Sequence, residues 1–300
     1  MTARDLILPS FFGDALALGP HWIYDAAEIR RHYPAGIRHY DMPRSSYHPG
    51  KRAGDFTHYG DQALLLLESV SRAGTSWNAE TWRKDWAAWW RSGPRSYRDG
   101  ATSHTLEHLD NGSLEPSDSS DLGGGTRIAP LFLLADQLDV EHLVALARAQ
   151  TAVTHGDPQV ADAAEFLIRA ASAVSGGATF EEAFDEAASS PYDALHVAEW
   201  LAAARDAAPA EDFEKEARRL GIACDIEGAF PVMLALAFRY EDQPSAALEA
   251  NALLGGDSAS RGLGLGLLLG ARHGVDAFPV DWVTKLVAHE TIDHALAASK

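Results

Sequence analysis

One cysteine, Cys224, in 300 residues excludes a disulfide framework within the chain and is compatible with a reducing cytoplasm. Basic residues are also scarce: 25 Lys and Arg stand against 43 Asp and Glu, a formal net charge of −18. A field of that sign repels nucleic acid and anionic lipid surfaces, so neither is expected as a partner. An anionic substrate would need a local basic pocket. Long apolar runs are missing too. "GLGLGLLLGA", Gly262 to Ala271, is about half the length that spans a bilayer. The N-terminal apolar stretch is broken by Asp5 and Asp14 and lacks the basic-then-apolar order of a signal peptide. The expectation is a soluble cytoplasmic protein handling a small molecule. With 46% hydrophobic residues, one large domain over residues 1–300 is favoured; nothing fixes an oligomeric state.

Sustained alternation of apolar and polar residues is absent as well, and helical spacing takes its place, which predicts an all-α bundle of about ten helices. "WRKDWAAWW" puts Trp82, Trp86, Trp89 and Trp90 on one helical face, a stripe suited to core packing. "DPQVADAAEFLIRAASAV" and "SPYDALHVAEWLAAARDAA" each open with an Asp or Ser cap before proline, the usual start of a helix. Two segments interrupt the pattern: residues 38–57, rich in Pro, Gly, Ser and aromatics, and the acidic, Gly-rich run from Asp110 to Arg127. The latter is longer than ordinary helix connections, which makes it a functional or mobile loop. Gly262, Gly266 and Gly270 fall four apart on one helical face. Each costs a helix about 1 kcal/mol relative to alanine, so a second backbone is expected to approach that face closely.

The first sixty residues hold five of the thirteen histidines (His21, His32, His39, His48, His58) and five of the eight tyrosines (Tyr24, Tyr33, Tyr40, Tyr47, Tyr59). Together they suggest a concave polar and aromatic pocket suited to a sugar, heterocycle or small amine.

Five ordered motifs resemble the ADP-ribosylglycohydrolase superfamily along nearly the whole chain. "FFGDALALGPHW" is similar to its first helix, and "GDFTHYGDQALLLLES" to its G-x-x-T-D-D-T helix start. "GGGTRIAP" resembles its Gly-rich segment, "THGDPQVADAA" its T-H-x-x-P helix start, and "ANALLGGDSASRG" its G-G-D-x-D-T element. The resemblance implies an all-α, single-domain bundle of the ADP-ribosylglycohydrolase type. It also implies paired Mg²⁺ ions between the two Asp/Thr motifs and cleavage of ADP-ribose from a side chain or polymer.

Carried over by position, Thr57 keeps the leading threonine, while His58 and Tyr59 stand where aspartates belong. Asp257 keeps the first C-terminal aspartate, Ala259 replaces the second, and Ser260 keeps a hydroxyl. His21 falls where many members have glutamate. Magnesium needs hard oxygen ligands, and imidazole and phenol serve poorly near neutral pH, so a binuclear magnesium site is not expected. The resemblance then implies a divergent hydrolase of a glycosidic or related bond in a small sugar- or nucleoside-like substrate. Asp61 and Asp257 would act as base and stabilising charge, and His21 or His58 would protonate the leaving group. Tyr59, Arg261, Gly124, Thr126 and His155 would contact substrate. Asp61 and Asp257 both have a plainer reading as helix N-caps. Two alternatives stay open: a catalytically silent binding or structural protein, as among the crystallin relatives, and a residual hydrolase with a single divalent ion on Thr57, Asp61, Asp257 and Ser260.

Overall fold

A computed structural model describes residues 1–298. Among the described residues there are sixteen α-helices, three short 3-10 turns and no strand, apart from isolated bridges between Ser117 and His155 and between Asp121 and Asp225. The all-α expectation holds. The helix number exceeds the expected ten because pieces such as Gly123–Thr126 and Val280–Thr284 are too short to show a period.

Two helices far apart in sequence meet at the centre. The first helix, Ala3–Ala17, crosses the buried helix Ser258–His273 along the glycine face. A Cβ on Gly13 would stand 2.0 Å from the Gly262 carbonyl oxygen, one on Gly266 2.1 Å from that of Pro9, and one on Gly270 2.3 Å from that of Asp5. Two backbones therefore touch where any side chain would hold them apart, and the close contact offsets the poor helix propensity of glycine.

The tryptophan stripe is core. Trp82, Trp86 and Trp90 are buried in the helix Ala79–Arg91, and the Trp86 indole donates to Gln62 Oε1 at 2.7 Å. The same Gln62 oxygen accepts from Arg127 Nη1 at 2.8 Å, and Arg127 reaches on to Gln150 and Thr154. This buried polar knot locks the helix His58–Ala73 to the segment that carries Gly124 and His155. The helix starting at Asp157 begins as expected, with Pro158 in its first turn. The one expected at Ser190-Pro191 begins instead at Val197. Asp162 Oδ2 accepts from the backbone N–H groups of Ala194 (2.8 Å) and Leu195 (3.0 Å), so a buried carboxylate holds the chain in a non-helical bend where the local signal favoured helix. No described helix is long and apolar enough to cross a membrane.

Candidate functional site

Two helix N-termini converge on the residues singled out by the motifs. Thr57 caps the helix His58–Ala73, its Oγ1 accepting from Tyr59 N–H at 3.2 Å. Asp14, fully buried on the first helix, fixes that cap: it accepts from Thr57 N–H (2.8 Å), Thr57 Oγ1 (2.5 Å) and Gly60 N–H (3.1 Å). Burial pushes the Asp14 carboxyl up to about 7, against the opposing pull of the Thr57 hydrogen bonds. Gly60 is required here, since its Cβ would lie 2.4 Å from Asp14 Oδ1.

The second N-terminus is that of Ser258–His273, capped by Asp257 through a long 3.5 Å contact from Ser260 N–H. Gly255 and Gly256, at φ 66° and 59°, turn the chain into it through left-handed conformations. Trp22 shares that conformation at φ 62°, a strained state for a bulky residue. It is held by its N–H donating to Gly256 O at 2.8 Å and by its ring stacking on His21 with centroids 4.5 Å apart.

Tyr59 lies between two carboxyl groups. Its hydroxyl is 2.7 Å from Asp121 Oδ2 and 3.2 Å from Asp257 Oδ2. A phenol has one proton, so it can donate fully to one of them, and the other contact is satisfied when that carboxyl is protonated and donates back. Burial first, and then the neighbouring Asp257 and Asp99 charges, push Asp121 up to about 8. Burial also raises Asp257, against the Ser260 hydrogen bond and the Arg261 charge. Gly123 leaves the space for the phenol: a Cβ there would sit 2.1 Å from Tyr59 Cε1.

Three buried histidines adjoin this group. His48 Nε2 is 3.4 Å from His58 Nδ1, His58 Nε2 is 3.2 Å from Asp99 Oδ2, and His21 Nδ1 is 3.5 Å from Asp257 Oδ1. The His58 ring also packs on Tyr59 with centroids 3.8 Å apart. Burial, reinforced by the other imidazoles, holds His21 and His48 far below the usual histidine range. His58 is raised: burial opposes its charge, but the Asp99 carboxylate outweighs that. Around this trio Trp22, Tyr47 and Tyr97 meet edge to face, with centroids 4.8–5.7 Å apart.

The other expected residues are placed as follows. Asp61 lies one turn into its helix and does not cap it; both of its oxygens accept from Lys51 Nζ at 2.7 and 2.6 Å. Its observed partner is thus that lysine, while Asp257 meets Tyr59 and His21. Arg261 is fully buried, and its Nε, Nη1 and Nη2 donate to Asn251 Oδ1, Ile222 O and Gly255 O. Its observed work is to brace the turn ahead of Asp257. Ser260 Oγ donates to Asp257 O at 3.3 Å. His155 Nδ1 lies 2.8 Å from Thr154 Oγ1, and its ring occupies the space a Cβ on Gly124 would need. The Thr126 hydroxyl is buried without a partner, its methyl close to Gly264.

Sequence reasoning passed over Asp121, Asp99, His48 and Asp14 as individual site residues. His48 belonged to the N-terminal histidine concentration, and Asp121 precedes the glycine triplet by two positions, which were the available signals. Asp99 reads locally as the N-cap it also is, accepting from Thr102 N–H at 2.6 Å.

The family model for ADP-ribosylglycohydrolase matches residues 2–299, and the chain belongs to that family. A solved structure titled "ADP-ribosylglycohydrolase-related protein complex" superposes with a TM-score of 0.76 at 24% identity, over 99% of this chain and 97% of that one. At that identity the likeness concerns the fold. No curated protein matches the chain.

Proposed function

We propose that this protein is a hydrolase of a glycosidic or related bond in a small sugar- or nucleoside-like substrate, and that a carboxyl pair bridged by Tyr59 replaces the family's paired magnesium chemistry. The observation that carries this reading is the Tyr59 hydroxyl lying between Asp121 and Asp257. Family membership supports a hydrolase of this general kind. The donor set does not suit two magnesium ions. A phenol and an imidazole take the places of two carboxylates, Ala259 offers nothing, and one oxygen each of Asp121 and Asp257 faces the Tyr59 hydroxyl while Asp14 is held by Thr57 and Gly60.

In this reading a protonated Asp121 gives its proton to the leaving atom as the glycosidic bond breaks. The Asp257 carboxylate stabilises the positive charge developing on the sugar and takes a proton from the water that adds to it. The Tyr59 hydroxyl, in contact with both groups, passes the proton from Asp257 back to Asp121 and resets the pair. His21, expected from the sequence as a leaving-group acid, is held neutral by burial, so Asp121 is the better donor. Trp22, Tyr47 and Tyr97 offer aromatic faces on which a sugar or base can stack.

The test is a panel of nucleosides, aryl glycosides and ADP-ribose conjugates with wild type and Tyr59→Phe. Turnover of a nucleoside or glycoside, cut at least tenfold by Tyr59→Phe, is expected. ADP-ribosyl-arginine and poly(ADP-ribose) are expected to react well below about 1 per second. No turnover on any compound would overturn the hydrolase reading, and an unimpaired Tyr59→Phe would overturn the bridged pair.

A further inference from the structure

The proposed reaction leaves the buried histidine trio without a task, and we propose that His21, His48 and His58 form a binding site for a single transition-metal ion of zinc type. Each of the three can present one ring nitrogen such that all three nitrogens lie within 4.8 Å of one another. The His48 Nε2 to His58 Nδ1 separation of 3.4 Å matches the nitrogen–nitrogen edge of a tetrahedron with metal–nitrogen bonds of about 2.0–2.1 Å.

Carboxylates stand beside two of the three rings, at 3.2 and 3.5 Å. Asp99 lies against His58 Nε2 and Asp257 against His21 Nδ1. Neither contact has hydrogen-bond geometry at the histidine nitrogen; once the rings turn onto an ion, a carboxylate so placed can accept from the nitrogen that does not bind it, the arrangement found behind metal-bound histidines. In His58 the nitrogen left for the ion is the one facing His48. A shared proton could account for the His48–His58 contact alone. It leaves His21 unexplained, since this fully buried side chain makes no hydrogen bond at either ring nitrogen. Buried polar atoms without partners are costly, and an ion would satisfy His21 together with its two neighbours. Neutral imidazoles select zinc, cobalt, nickel or copper over magnesium. A cleft lined by His48, Lys51, Ser96 and Tyr97 offers an approach to the trio.

The site stands independently of the hydrolase reading, and its test contains no substrate. Protein dialysed against chelator is titrated with Co²⁺ while visible absorption is followed, with Zn²⁺ and Mg²⁺ as competitors. The expected result is one Co²⁺ per chain with the intense bands of four-coordinate cobalt, displaced by Zn²⁺ and unaffected by millimolar Mg²⁺. His48→Gln should weaken binding at least about 100-fold, and Asp99→Asn about 10–100-fold. In wild type, zinc should shift the imidazole NMR signals of three histidines together, a readout that needs no variant to fold. Absence of cobalt bands, equal affinity in folded His48→Gln, or a zinc response confined to surface histidines would overturn the proposal.

Discussion

The helix Ser258–His273 is packed in two ways along one length. From Gly262 to Gly270 it lies backbone to backbone against the first helix, and the side-chain hydrogen bond across that contact, Ser10 Oγ donating to Leu263 O at 2.8 Å, is satisfied. At its N-terminus, one turn away, Asp257 is fully buried beside the Tyr59 hydroxyl and His21, and the ring nitrogens of His21 find no hydrogen bond. The first arrangement is what close packing alone would select. The second spends stability on buried carboxyl groups and unpaired imidazoles, a cost that proteins tolerate where charges must be poised for chemistry. The contrast teaches that stability and function are separable along this helix, and substitutions can pull them apart.

The largest expected effect is at the polar end. Asp257→Asn keeps a good cap, so stability should change by less than about 1 kcal/mol, while turnover falls about 100-fold or more because the site loses its charge. Equal losses of melting temperature and turnover would erase the contrast. At the packed end, Gly266→Ala drives a Cβ into the Pro9 carbonyl and should cost about 3 kcal/mol in denaturant unfolding, with turnover of the folded fraction unchanged. Asp61→Asn comes next. It removes the charge paired with a largely buried Lys51 and should cost about 1–2 kcal/mol without lowering turnover; a tenfold loss of turnover would return Asp61 to the reaction.

The smallest effect has the opposite sign. Asp121 has a folded pKa raised from 3.8 to about 8 by burial and by the Asp257 and Asp99 charges. Its contribution to stability is therefore present below its unfolded value and lost as pH rises through the folded one. Turnover that needs its proton should fall above pH 8. Asp121→Asn should lower that turnover no further than Asp257→Asn does, and its stability change is the small one: it should melt about 2 °C higher than wild type at pH 9, as differential scanning calorimetry would show. A lower melting point at pH 9 would refute the assignment of a partly buried, repelled carboxyl.

The packed end was readable in advance because its information is local. Glycines four apart on a helical pattern require a close neighbour wherever that neighbour comes from, and the tryptophan spacing defines a buried face by itself. The motifs around Thr57 and Asp257 were equally legible as helix starts. The polar end was only half legible. Asp121 sits in a Ser- and Asp-rich loop that reads as functional or mobile without singling out any one residue, and its meeting with Tyr59 spans 62 residues of sequence. Asp61 read as a partner of Asp257, but a lysine ten residues upstream claims it. The start of the helix at Val197 was missed for the same reason, since Asp162 acts on it from 32 residues away. Long-range carboxylate contacts override local signals, and they leave no periodic trace.

The central claim is that the polar end handles protons at the place where the motif resemblance implies paired magnesium ions. Calorimetric titration of dialysed protein with MgCl₂ at neutral pH tests it most directly and needs no knowledge of the substrate. The account predicts no saturable heat up to about 1 mM, the range in which a built magnesium site would fill and release about 4 kcal/mol or more of binding free energy. Two ions bound per chain in that range, with the stoichiometry lost in Asp257→Asn, would contradict it.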